Sequence, residues 1–113
     1  MPKHKNTPLN GSVRCIVFRE ENVWYAVGLE FNIVESGSSA REAFLLLSES
    51  LTGYVESAKK MGSKPAISIL NQQTDTEYDK LWNALQKKKP IRNKQVSFFG
   101  EMNISVLQQM ALA

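Results

Sequence analysis

A chain of 113 residues that is 42% hydrophobic and 22% charged can bury one core but not two, and its composition is that of an ordinary folded domain. A single cysteine excludes an intramolecular disulfide, and a single histidine, His4, leaves nothing from which to assemble a Ser-His-Asp triad. The net charge of +3 is unevenly placed: residues 1–86 carry nine Lys/Arg against ten Asp/Glu, whereas residues 87–113 carry five Lys/Arg against Glu101 alone.

The first eight residues, Met1 to Pro8, contain no apolar core of a secretory leader, and no later apolar run is long enough to span a bilayer. The expectation is a cytoplasmic protein that keeps its cysteine reduced and makes no membrane contact, opening with a flexible polar arm over residues 1–11. Val13 to Arg19 is rich in β-branched and aromatic residues and is broken by a turn at Glu20-Glu21-Asn22. Val23 to Leu29 reads as a second strand and Phe31 to Glu35 as a third. Both strong strands are apolar on two sides. Val13, Cys15 and Val17 oppose Ile16 and Phe18, and Val23, Tyr25, Val27 and Leu29 oppose Trp24 and Ala26.

The period then changes from two to 3.6. Ser39-Ala40-Arg41-Glu42 has the form of a capping box, and Ala40, Ala43, Phe44, Leu47, Leu51, Tyr54, Val55 and Ala58 recur as one apolar stripe. Lys59 and Lys60 suit the negative end of the helix dipole, and Gly62 suits a left-handed cap, so the pattern predicts a helix over 39–61. Ala66 to Leu70 reads as a fourth strand after Pro65. A second capping box, Thr74 to Glu77, opens a helix over 76–86 whose Tyr78, Leu81, Trp82 and Leu85 share a face. Pro90 stops any continuation through the lysines. Val96 to Phe99 reads as a last strand, and Ile104 to Ala113 as a short helix or tail. The division expected is an arm over 1–11, an α+β domain over 12–86, and a basic linker with a C-terminal strand over 87–113.

One long helix covers one face of a small sheet. The other face requires the 76–86 helix, a second copy of the chain, or a different protein. That need marks Trp24, Phe31, Ile16 and Phe18 as candidate partner contacts. Lys87, Lys88, Lys89, Arg92 and Lys94 are candidate phosphate contacts, although the same run suits a solvated linker.

Catalytic options are few. Cys15 sits among apolar strand residues, as an inert buried thiol does. One histidine and one cysteine make a zinc site improbable, the phosphate-binding glycine patterns are absent, and neither a metal nor a cofactor is expected. The carboxylates form no evident constellation. Asp75 and Asp79 fall in the first turn of the second helix, Glu30 and Glu35 take opposite sides of a continuous strand, and Glu42, Glu49 and Glu56 mark the solvent side of the long helix. The expectation is a protein that is not an enzyme.

Gly37-Ser38-Ser39-Ala40-Arg41-Glu42-Ala43 resembles the start of the long helix in the HicB-like antitoxin family. Trp24 to Val34 is similar to a variant with Leu-Glu-Phe-Asp-Leu-Val at its end, and Glu77-Tyr78-Asp79-Lys80-Leu81-Trp82 is similar to a Glu-Tyr-x-x-x-Trp segment of those relatives. The resemblance covers residues 12–86. It implies a partial RNase H-like fold, a small β-β-β-α-β core with an antiparallel sheet packed by one long helix, here with a second short helix and a C-terminal strand. It further implies a non-catalytic binding protein that masks a small HicA-type RNase toxin and assembles as a homodimer or larger. Two departures stand out. The Leu-Pro-Gly-Cys turn of toxin-paired members is replaced by Phe31-Asn32-Ile33-Val34, and the region after Pro90 is too short for a helix-turn-helix. A stand-alone member without a toxin therefore stays open. So does a small dimeric nucleic-acid-binding regulator that uses the 87–94 segment, with weak DNA affinity.

Overall fold

The computed structural model describes residues 6–112, so His4 lies outside it. The fold is α+β. Strands β1 (Ser12–Glu20), β2 (Val23–Gly28) and β3 (Ile33–Gly37) are followed by helices α1 (Ala40–Lys59), α2 (Ser63–Leu70) and α3 (Thr76–Gln86), then by β4 (Gln95–Asn103) and α4 (Ile104–Leu112). The four strands form one antiparallel sheet in the order β3-β2-β1-β4. A two-residue turn joins β1 to β2, since Glu20 pairs with Val23, and Glu21 takes φ 59° there.

Strand alternation divides the apolar residues into two cores. On one face Val13, Cys15, Val17 and Ala26 pack under Ala43, Leu47, Leu51, Val55 and Ala58 of α1, joined by Ala66 and Leu70 of α2 and Ile104 and Leu107 of α4. On the other, Ile16, Phe18, Val27 and Leu29 lie under Leu81 and Trp82 of α3, with Tyr78 and Leu85 at the margin. The short helix thus covers the second face within the same chain.

Helix α1 follows its sequence pattern closely. The Ser39 side chain accepts from the Glu42 N–H at 3.0 Å. The Glu42 carboxylate reaches back one residue further than a capping box requires, to the Ser38 N–H at 2.6 Å. That N–H, and then the Ser38 hydroxyl, hold the exposed Glu42 carboxyl below its ordinary range. Gly62 is not the left-handed cap. α1 closes through the Lys60 and Met61 N–H groups, which donate to Ser57 and Ala58, and Gly62 is the extended residue (φ −65°, ψ 163°) before α2.

The largest correction concerns Ala66–Leu70, which is helical. Pro65 sits in the first turn of α2, where its missing N–H costs nothing. Ala66 and Leu70, four apart, are the residues it buries. A strand would instead have to bury Ser68, which is exposed. The place beside β1 that a fourth strand of an RNase H-like core would take is held by β4, paired from Ser12↔Asn103 to Arg19↔Gln95. Residues 95–112 are therefore part of the fold: the last strand expected at Val96 to Phe99 lies within β4, and of the two readings of the segment after it the structure shows the helix.

Nor are residues 6–11 a free arm. Asn6 is buried. Its side chain donates to the Leu70 carbonyl at 3.0 Å and accepts from the Ser12 N–H at 2.9 Å, while its backbone exchanges hydrogen bonds with the Asn71 side chain at 2.7 and 2.9 Å. Gly11, at φ 121°, completes this strap, because a Cβ there would stand 2.1 Å from Asn6 Oδ1.

A candidate binding cleft around Arg14

β1 places Arg14 on the α3 face, beyond the apolar residues Ile16 and Phe18. The chain leaves β2 at Gly28 and folds back, so that Glu30 meets Arg14 twice: Oε1 accepts from its backbone N–H at 2.8 Å and Oε2 from Nε at 2.6 Å. The guanidinium also donates to Asp79 Oδ1 at 3.0 Å and to Thr74 Oγ1 at 3.2 Å. Its carbon lies 5.6 Å from the centre of the Trp82 ring, within cation–π range. One side chain thus ties β1, the loop after β2 and the first turns of α3. Burial works against the charged guanidinium, but hydrogen bonds and charge from Glu30 and Asp79 prevail, and its pKa is raised.

Arg14, Glu30, Asp79 and Trp82 line a cleft of 650 Å³, completed by Asn6, Ser12, Asn71, Gln72, Asn83 and Glu101. Glu101 accepts from the Ser12 hydroxyl at 2.7 Å. Three carboxylates against one guanidinium leave the cleft with two net negative charges, in a chain that carries +3 in total. Its floor is held by Gln72, whose side-chain amide donates to the Phe31 and Ile69 carbonyls at 3.3 and 3.1 Å and to Tyr54 Oη at 2.6 Å. Among the described residues, no three His, Cys, Asp or Glu side chains are gathered to hold a metal ion.

The sequence separates Arg14, Glu30, Asp79 and Glu101 by 16 to 87 residues, and no local motif joins them. The one legible signal was Arg14 itself, a charge placed in an apolar strand on the side of Ile16 and Phe18. The candidate partner contacts fare differently. Ile16, Phe18 and Phe31 are each at most 2% exposed, so they form core and not contact surface: α3 covers the first two and Tyr54 of α1 stacks on the third. Trp24 is half-buried on the α1 face, with the Arg19 guanidinium 5.9 Å from its ring.

The basic segment is folded and carries no linker character. The Lys87, Lys88 and Lys89 N–H groups donate to Asn83, Leu85 and Ala84, and Lys88 takes φ 57°. This is a Schellman closure of α3 with lysine where glycine is usual. Lys94 folds inward, 3.5 Å from Glu77, 3.7 Å from Glu20 and 5.7 Å from the centre of the Phe18 ring. Lys87, Lys88, Lys89 and Arg92 remain exposed. Cys15 is buried, and loss of hydration, aided by Glu30, pushes its thiol pKa up to about 12, which keeps it protonated and unreactive.

Neither a protein-family model, nor a curated protein, nor a solved structure matches the chain. No described helix is long and apolar enough to cross a membrane.

Proposed function

We propose that this chain is a non-catalytic binding protein of the HicB-like antitoxin kind, acting in a reducing, cytoplasmic setting by occluding a small basic ribonuclease. The observation that carries this reading is the sign of the Arg14 cleft. A ribonuclease must present cationic side chains to RNA phosphates, so a protein that masks it needs a negative, partly aromatic recess. Glu30, Asp79, Glu101 and Trp82 supply one. Arg14 supports the non-catalytic part, because it engages the Glu30 and Asp79 carboxylates that magnesium chemistry would require free. The purified chain is expected to leave RNA and RNA–DNA hybrid uncut in magnesium or manganese; cleavage that is lost on replacing Glu30 would contradict this.

The direct test is co-expression with a HicA-type ribonuclease encoded beside this chain. Growth should be restored by the wild type and lost with the Asn83→Lys/Glu101→Gln pair, which brings the cleft to zero net charge without touching the core. Rescue by both would place the contact elsewhere. The nucleic-acid reading retains the four exposed cations Lys87, Lys88, Lys89 and Arg92, which support only salt-sensitive, sequence-independent binding. An operator-specific shift surviving physiological salt would promote it.

A further inference from the structure

Strand β4 is an edge strand nine residues long, and among the described residues one side of its backbone has no partner strand. Between Gln95 and Asn103 there is no proline and one charge, Glu101. The opposite edge, β3, has five residues. Natural sheets shield long edges with charge, proline or bulges, and the device present here is a single irregularity at Ser97, where Val17 pairs with Phe98 but Phe18 with Val96. Beyond it, Phe98 to Asn103 pair regularly with β1. Two phenylalanines stand on this edge, one on each face: Phe98, 41% exposed, lies edge-on to Phe44 of α1, and Phe99, 38% exposed, lies edge-on to Trp82 of α3.

We propose that β4 is the seam of a homodimer, in which two copies pair antiparallel about a two-fold axis at Gly100 and form one continuous eight-stranded sheet. An edge strand is its own complement under such an axis, since free donors on one copy meet free acceptors on the other. Charge selects the register. An axis at Glu101 would set two carboxylates face to face, whereas an axis at Gly100 sets Glu101 opposite the partner subunit's Phe99 and Phe98 opposite the partner subunit's Met102. At the axis itself neither copy has a side chain. The Phe98 ring already lies over that gap, with Cζ 3.0 Å from where a Gly100 Cβ would stand, so the two rings cover the two glycines. The ribbon and four phenylalanines make a modest interface, below the ~1,200 Å² of a standard one, so the dimer is of the weak, concentration-dependent kind. Glu101 belongs to both the seam and the Arg14 cleft, whereas Phe98 lies on the opposite sheet face against Phe44 and Gly100 is outside the cleft lining. Variants at these two positions therefore test the seam while leaving the cleft lining intact.

The test is sedimentation equilibrium of the full chain from about 1 to about 200 µM, the range in which a small interface assembles. The expected result is a shift from 12.7 kDa to twice that mass. Phe98→Lys should weaken it at least tenfold with an unchanged far-UV spectrum. Gly100→Cys should give a covalent dimer on mild oxidation, since Cα atoms paired at the axis fall within disulfide reach, and this arm decides if Phe98→Lys does not fold. The mass of one chain throughout, a dimer indifferent to Phe98→Lys, or a dimer that Gly100→Cys cannot cross-link would each overturn it.

Discussion

Arg14 ties together β1, the loop after β2 and the start of α3 through one side chain. Removing its side chain leaves Glu30 and Asp79 without their cation and takes away the support under Trp82. Arg14→Ala should therefore cost about 2–3 kcal/mol in urea unfolding. Arg14→Lys should recover only part of this, because an ammonium cannot reproduce the fork shared between Glu30, Asp79 and Thr74. Equal stability of the alanine variant and the wild type would show that the bridge is an exposed pair of little consequence. Lys88 is a second residue at which chemistry and backbone disagree. Its φ of 57° suits glycine, so Lys88→Gly should stabilise by about 0.5–1 kcal/mol despite the loss of a charge favourable to the α3 dipole. A destabilised variant would mean that the lysine side chain makes a contact that outweighs backbone strain.

At the level of elements, legibility followed periodicity and failed with length. β1, β2, α1 and α3 each carry six or more residues of sustained period, and each appears within a few residues of its expected bounds. Ala66 to Leu70 is five apolar residues long, a length at which a buried strand and one face of a short helix read alike. Its helical state is decided by β4, which takes the place beside β1 that it would have needed. The same blindness to long-range pairing hid the cleft and set a domain boundary at residue 86, although the strand expected at Val96 to Phe99 is present within β4. Removing residues 95–112 would strip β1 of one neighbour along its whole length and delete the buried Ile104 and Leu107. A chain ending at Lys94 should therefore fail to show a cooperative melting transition. A folded truncation melting near the full chain would restore the boundary at residue 86.

For the whole molecule, the two apolar faces that raised the question of a partner are both covered internally, by α1 with α2 and α4 on one side and by α3 on the other. What the fold leaves open is an edge and a cleft. The edge suits a second copy of the chain, and the cleft, acidic within a basic protein, suits a cationic partner whose charges would also steer the encounter. The most direct measurement is the inhibition constant of the purified chain against a HicA-type ribonuclease, the partner proposed above, taken for the wild type and for the Asn83→Lys/Glu101→Gln pair. The account predicts inhibition by the wild type and at least tenfold weaker inhibition by the pair, about 1.4 kcal/mol of lost binding, with identical thermal melting. Equal constants for the two proteins, or no inhibition by the wild type, would contradict it.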